Sequence, residues 1–323
     1  MASHWAEQDA GRQQGAGRRR RSLLPVVAAV FVAAIAVVGV AFAFGFGPFG
    51  KSEPAPEPAT QEVATDVIEE PAVEPVPTEP EPAPAPGYDP AADWRNAEFA
   101  VDPARTDWNY EPGENKVVYL TFDDGPSENT AKVLDILDAY GIKATFFVTN
   151  INPDYIPMIG ECYRRGHTIG MHTYSHDYAQ VYASRDAYWA DLGAISDIVR
   201  EQIGYVPCFI RFPGGSSNTV SANYTQGIMT QLTQEVQDAG YQYYDWDASC
   251  GDGAEHTADE LVDATIADTS YGYTSIVFLA HDGAEKEATV EALPRIIEYF
   301  QSEGYSFAPL DRQTCVPHHG LGN

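Results

Sequence analysis

Two adjacent carboxylates, Asp123 and Asp124, follow a run of β-branched and aromatic residues and precede the turn-forming pair Gly125-Pro126. Successive side chains of a strand point to opposite faces, so the two acids diverge unless the backbone bends sharply at Gly125. A divergent pair suits a division of labour, in which one carboxylate binds a metal and the other handles a proton. It does not suit a glycosidase, whose two acids must flank a sugar ring. The alternative is an acidic turn that only caps a strand.

His172 and His176 are four residues apart and form a second group that could bind a metal. From a helical turn or a tight loop, two such histidines can present nitrogens to one ion, as zinc sites require. A carboxylate from the first strand would complete three protein ligands and leave a position open for water, as catalytic zinc sites do. The alternative is a pair of histidines that bind nothing.

Arg211 and His281 also stand at the ends of hydrophobic stretches. Arg211 begins the sequence Arg-Phe-Pro-Gly-Gly, where the arginine could orient an acid and the glycine-rich turn could offer backbone N–H groups to an oxyanion. The ordinary pKa of a histidine lets His281 act as a general acid. The alternatives are an arginine paired with a surface acid and a buried histidine with a structural role.

Seven stretches are predicted as strands: 117–122, 144–149, 167–171, 208–212, 241–246, 274–280 and 305–308. Helical stretches separate them, and Thr257 with Glu260 three residues later predicts the start of one helix. This alternation predicts an α/β fold, a distorted (β/α) barrel of about seven parallel strands, with an open doubly wound sheet as the alternative. Every reactive candidate follows the C-terminal end of a predicted strand, where such barrels assemble their sites.

Four motifs carry a family resemblance: Thr121 to Gly125, His172 to His176, Arg211 to Gly215 and Leu279 to Asp282. In order and spacing they resemble the motifs of the polysaccharide deacetylases, carbohydrate esterase family four with the NodB-homology domain, over roughly residues 115 to 310. The resemblance implies a metal-dependent hydrolase. Zinc is the expected divalent ion, with cobalt as the alternative.

The resemblance also implies a role for each matching residue. Asp123 matches the general base, and Arg211 matches the residue that orients it. The metal ligands are matched by Asp124, His172 and His176. His281 matches the general acid and Asp252 the carboxylate that tunes its pKa, while Gly214 matches the N–H donor of the oxyanion site and Leu279 the wall of the acetyl pocket. The fourth motif departs from the family's Trp-x-x-Asp-x-x-Asp-Trp, because Ser249 replaces its first Asp and Gly253 its last Trp. Substrate stacking and pocket shape therefore need not follow the family.

The expected reaction is N-deacetylation of N-acetylated sugars in an extracellular glycan, cell-wall peptidoglycan above all, with acetate and a free amino sugar as products. An O-acetyl esterase acting on xylan or a related glycan is the enzymatic alternative, because attack by a metal-activated water differs little between amide and ester. A wall-binding module without activity is the alternative from another class. With 19 Lys and Arg against 47 Asp and Glu, the net charge of -28 disfavours nucleic-acid partners.

The N-terminal third differs in composition from the rest of the chain. Residues 1–22 contain five arginines and are predicted as a cytoplasmic tail, and the uncharged residues 23–47 as a transmembrane anchor. A signal peptide cleaved near Ala41-Phe42-Ala43 is the alternative. Residues 48–92 are rich in Pro and Glu and predict a disordered stalk, and residues 93–323 an extracellular deacetylase domain at the cell membrane.

Two expectations concern residues outside the motifs. The barrel places Cys162 and Cys208 at one rim and Cys250 and Cys315 at the other, so disulfides are predicted within each pair in the oxidising compartment outside the cell. The adjacent histidines His318 and His319 are predicted to lie in an exposed C-terminal tail, with binding to a metal as the alternative.

Overall fold

The computed structural model of the protein describes residues 93–323. The predicted cytoplasmic tail, transmembrane anchor and stalk lie outside the described residues. No helix in the described part of the chain combines the length and the apolar composition needed to cross a bilayer.

Within residues 93–323, eight strands form one sheet in which all pairings between named strands are parallel. They are β1 (Val117–Asp123), β2 (Thr145–Val148), β3 (Thr168–Met171), β4 (Phe209–Ile210), β5 (Gln242–Tyr243), β6 (Ala248–Ser249), β7 (Ser275–His281) and β8 (Ser306–Phe307). Seven of them follow the order β5-β4-β3-β2-β1-β7-β6, and β8 pairs with the start of β1. The prediction of a parallel α/β fold is confirmed in the form of a distorted half-barrel.

Eight α-helices connect or flank these strands in the described residues. They are α1 (Trp94–Phe99), α2 (Glu128–Ala139), α3 (Pro157–Arg164), α4 (Tyr178–Val181), α5 (Arg185–Ile203), α6 (Ile228–Asp238), α7 (Ala258–Thr269) and α8 (Glu287–Ser302). Two of them begin with a capping box, α2 at Ser127 and α7 at Thr257, where the side chain of the first residue and that of the residue three positions later satisfy each other's backbone N–H groups. The predicted box of Thr257 and Glu260 is therefore confirmed.

The curvature of the sheet follows from the short link between its two edges. β5 and β6 are the outermost strands of the seven, yet only the four residues from Tyr244 to Asp247 join them. A link of that length spans at most about 18 Å, so the sheet must curl until its edges approach each other. The sequence did not predict β6, because two residues directly after another strand, with no helix between, give no periodic signal.

The C-terminal segment lies across the gap between these two edges. The Asp245 N–H donates to the carbonyl of Pro317 at 3.1 Å, and the His319 N–H donates to the Asp245 carboxylate at 2.8 Å. The His318 ring stacks on Tyr243 with a centroid separation of 3.9 Å. The prediction of an exposed tail for His318 and His319 is therefore wrong: both are half-buried, because the half-barrel leaves a groove that this segment fills.

All four cysteines lie in the described residues and carry free thiols, so neither predicted disulfide is formed. The Cys208 sulfur faces the guanidinium of Arg312 at 3.9 Å, and the Cys250 thiol faces the carbonyl of Leu279 at 3.8 Å. Sharing a rim of the barrel did not bring the sulfur atoms of either predicted pair together. Burial raises the pKa of Cys208 to about 12 and that of Cys162 and Cys250 above the ordinary value, which disfavours the reactive thiolate.

Candidate active site

The carboxyl ends of β1 and β7 bring two candidate residues side by side. Asp123 is the last residue of β1 and is in register with His281, the last residue of β7. Two residues earlier, Thr121 is in register with Leu279, so these four side chains share one face of the sheet. Leu279 is 8% exposed and supplies an apolar surface next to the two titratable groups.

Asp124 leaves the strand in a left-handed conformation, with φ of 70°, which turns its side chain away from Asp123. Gly125 follows because a Cβ at that position would collide with the carboxylate of Asp282. That carboxylate accepts a hydrogen bond from the Thr130 hydroxyl at 2.5 Å, and burial raises its pKa to about 7. The backbone bend that was expected after Asp123 is therefore formed by the left-handed conformation of Asp124 and by the absence of a side chain at Gly125.

Asp124, His172 and His176 form a cluster whose three ligand atoms lie within 4.8 Å of one another. Oδ1 of Asp124 is 3.3 Å from Nε2 of His176 and 3.6 Å from Nε2 of His172. The same Oδ1 is buried and has no hydrogen-bond partner within residues 93–323. An unpartnered buried carboxylate oxygen facing two imidazole nitrogens is what a divalent cation would satisfy, so the residues fit a metal.

The imidazole of His172 is held in the tautomer that ligation requires. Its Nδ1 lies 2.6 Å from the carbonyl oxygen of Arg211, so Nδ1 carries the proton and donates it, which leaves the lone pair of Nε2 facing Asp124. Burial lowers the pKa of His172 to about 3, so the ring is neutral at physiological pH. His176 completes the cluster from a left-handed backbone conformation with φ of 50°.

Arg211 is fully buried and holds Asp123 in place. One terminal nitrogen donates to Oδ1 of Asp123 at 2.8 Å and to the Thr121 hydroxyl at 2.7 Å. The remaining donors reach the backbone carbonyls of Tyr244 at 2.9 Å and Asp245 at 3.0 Å. Burial raises the pKa of Asp123 above its ordinary value, against the opposing charge of Arg211. The surface ion pair considered for this arginine is therefore excluded.

Asp252 accepts two hydrogen bonds from His281, one from Nδ1 and one from the backbone N–H, both at 2.8 Å. Its second oxygen also accepts from the Thr289 hydroxyl at 2.7 Å. Burial lowers the pKa of His281 because it disfavours the charged imidazolium. The negative charge of Asp252, together with those of Asp124 and Asp123, outweighs the effect of burial and raises the pKa to about 9. His281 is therefore protonated at neutral pH, with Nε2 lying 4.0 Å from Oδ2 of Asp124.

Gly214 lies in the loop after β4, next to Tyr178, with φ of 73°. A Cβ there would be 2.6 Å from the hydroxyl oxygen of Tyr178, so only glycine fits this conformation and this space. No described residue accepts a hydrogen bond from the Gly214 N–H. Sequence reasoning missed Tyr178, because its position depends on a helix, α4, of only four residues that gives no periodic signal.

The two departures in the fourth motif lie at the edge of the site. The Ser249 N–H donates to the carboxylate of Asp268 at 2.8 Å. Gly253 faces open space, with no atom within 4 Å of where its Cβ would be. The aromatic ring nearest to Arg211 in this stretch belongs to Trp246, whose centroid is 5.9 Å from the guanidinium carbon. The described site is therefore open on the side where Gly253 lies.

Comparison with known proteins identifies the family. The family model described as polysaccharide deacetylase matches residues 110–243. The catalytic domain of a peptidoglycan N-acetylglucosamine deacetylase from Eubacterium rectale ATCC 33656 is 45% identical, with a TM-score of 0.64, and the match covers 69% of this chain and 100% of that one. This chain belongs to the polysaccharide deacetylase family.

Two further members show how broad the similarity is. A peptidoglycan-N-acetylglucosamine deacetylase of Bacillus cereus is 30% identical over 204 residues, which are 62% of this chain and 68% of that protein. An esterase of carbohydrate esterase family four from Streptococcus mutans is 26% identical, with a TM-score of 0.53, over 66% of this chain and 96% of that one. The predicted family is confirmed, and the protein is a hydrolase of the polysaccharide deacetylase family.

Proposed function

We propose that this deacetylase removes acetyl groups from N-acetylglucosamine units of cell-wall peptidoglycan. The observation that carries the proposal is the pairing of a buried carboxylate, Asp123, with a protonated histidine, His281, beside the cluster of Asp124, His172 and His176. Hydrolysis of an amide needs a base to activate water and an acid to protonate the leaving amine. Similarity to a peptidoglycan deacetylase along that chain's whole length supports the choice of glycan.

A divalent metal, zinc first and cobalt as the alternative, would bind to Asp124, His172 and His176, polarise the acetyl carbonyl and lower the pKa of a water molecule. Asp123 is placed to accept the proton of the attacking water, and Arg211 keeps the carboxylate oriented. The N–H of Gly214 donates a hydrogen bond to the oxygen on which negative charge develops. Leu279 provides the apolar surface for the acetyl methyl group.

His281 completes the reaction as the general acid. Its raised pKa of about 9 means that Nε2 carries a proton to donate to the leaving nitrogen at neutral pH. Asp252 keeps Nδ1 hydrogen-bonded and stabilises the imidazolium. The products are acetate and a glucosamine unit with a free amine.

We further propose that the reaction takes place outside the cell, with residues 1–22 in the cytoplasm, 23–47 as a single transmembrane anchor and 48–92 as a stalk. The support is the arginine block before an uncharged apolar stretch of sufficient length. Membrane extraction followed by N-terminal sequencing of the mature protein tests the anchor. A mature chain that begins near residue 44 would replace the anchor with a cleaved signal peptide.

An acetate assay tests the proposed reaction. The purified protein is incubated with N-acetylglucosamine oligomers, with peptidoglycan and with acetylated xylan, and released acetate and new amine are both measured. Equal amounts of acetate and amine, with peptidoglycan turned over best, support the proposal. Acetate from xylan without any from the N-acetylated glycans would favour the O-acetyl esterase. No acetate from any substrate would favour a wall-binding module.

A further inference from the structure

The hydroxyl group of Tyr178 lies next to Gly214 and has no hydrogen-bond partner among the described residues. Tyr178 is the first residue of α4, and its half-buried ring packs edge-on against His176 at a centroid distance of 5.9 Å. No described residue forms a hydrogen bond with its hydroxyl. The hydroxyl oxygen lies 2.6 Å from the position that a Cβ atom of Gly214 would take. A phenol with a free donor therefore lies between a candidate metal ligand and the candidate oxyanion donor.

The position of this hydroxyl is fixed from two sides. The Tyr178 ring packs against Tyr182 at a centroid distance of 5.5 Å, and the Tyr182 hydroxyl donates to the carbonyl of Pro213 at 2.8 Å. One aromatic pair thus ties α4 to the loop that carries Gly214. The missing side chain of Gly214 leaves the space that the phenol oxygen occupies.

The Tyr178 hydroxyl and the Gly214 N–H can reach one acceptor. A backbone nitrogen lies about 2.5 Å from the Cβ position of its own residue, so the phenol oxygen is at most about 5 Å from the Gly214 nitrogen. One oxygen atom placed at hydrogen-bond distance from each, about 2.8 Å, bridges two donors with that separation. An oxyanion site commonly uses two such donors.

We propose that Tyr178 is a second oxyanion donor, which with the Gly214 N–H binds the acetyl oxygen as negative charge develops on it. The phenol keeps its proton throughout and donates only a hydrogen bond, which is strongest when the acceptor is fully charged. This proposal rests on the deacetylation proposed above. It adds a residue that follows the metal-binding motif in the sequence and packs against His176, one of the candidate metal ligands.

The variant Tyr178→Phe removes the donor and keeps the ring and its packing. We expect kcat on N-acetylglucosamine oligomers to fall by about 10²-fold with KM within twofold, because the lost interaction is made in the transition state. The affinity for a methylphosphonamidate of glucosamine, which mimics the tetrahedral intermediate, should fall by a similar factor. Zinc affinity measured by calorimetry should stay unchanged.

Tyr174→Phe is the matched control, because Tyr174 lies in the loop just before α4 but is 39% exposed. We expect its kcat and KM to stay within twofold of the parent protein. If Tyr178→Phe keeps kcat within threefold, or raises KM alone, Tyr178 is not an oxyanion donor and the proposal is overturned. Failure of the parent protein to release acetate would instead overturn the deacetylation on which the proposal rests.

Discussion

The two ion pairs of the site, Arg211–Asp123 and His281–Asp252, have the same 2.8 Å separation but different consequences. In the first pair the guanidinium stays charged and each of its three nitrogens donates to the protein, so the carboxylate of Asp123 is the group that can exchange a proton. In the second pair the carboxylate is fixed by three hydrogen bonds, so the histidine is left to exchange protons. The comparison shows that the role of each group depends on which partner the protein immobilises.

We expect the largest effect from Asp123→Asn, which replaces the carboxylate of the Arg211–Asp123 pair by a neutral amide. The amide cannot accept the proton of the attacking water, so we expect kcat to fall by about 10³-fold. The variant should still bind one zinc per chain, because Asp124 and the two histidines are unchanged. Acetate release and metal analysis on the same preparation measure both quantities, and near-normal turnover would remove Asp123 from its role as base.

Asp252→Asn tests the His281–Asp252 pair through the pH dependence of the activity. In the parent protein the pKa of His281 is raised to about 9, so the acid form persists to that pH and activity is lost as the pH rises through it. Without the carboxylate, burial should lower this pKa and move the alkaline limb of the kcat/KM profile down by at least about one pH unit. We also expect kcat at neutral pH to fall by about 10²-fold.

Asp268→Asn provides the matched control for that profile. Asp268 also accepts a backbone hydrogen bond close to the fourth motif, from Ser249, but it does not contact His281. Its alkaline limb should coincide with that of the parent protein. If both variants shift the limb equally, or neither does, Asp252 does not set the protonation of His281.

Arg211→Lys tests whether the first pair depends on geometry or on charge alone. Lysine keeps the charge but cannot reproduce the planar donors that reach Asp123, Thr121 and two carbonyls. We expect the free energy of unfolding, measured by urea titration, to fall by about 2 kcal/mol because buried acceptors lose their partners. The exposed pair of Arg200 and Asp197 gives the control, and Arg200→Lys should change stability by less than about 0.5 kcal/mol.

The sequence predicted seven of the eight strands and the positions of the reactive residues because both produce local signals. A buried strand such as Val117–Asp123 is recognisable from its residue types, and parallel strands bring their carboxyl ends to one edge. The separation of Asp123 from Asp124 also followed from strand geometry, although the left-handed turn at Asp124 that produces it was not specified. Most strand ends nevertheless shifted by one to three residues, which is the precision that local patterns allow.

Features that depend on distant parts of the chain were not predictable. His318 fills the gap between β5 and β6, which exists only once the sheet has curled. The residues next to His318 in the sequence therefore do not indicate that it is half-buried. The partners of Cys208 and Cys250 likewise come from the C-terminal segment and from β7. Tyr178 belongs to the same class, because its neighbour Gly214 is 36 residues away in the sequence.

The measurement that tests the account most directly is a zinc titration of chelator-treated protein, with acetate release from N-acetylglucosamine oligomers as the signal. The account predicts that the metal-free protein releases no acetate and that activity rises linearly to a plateau at one zinc per chain. His176→Ala, which removes one ligand of the cluster, should not recover at that ratio. Full acetate release by the metal-free protein would contradict the account.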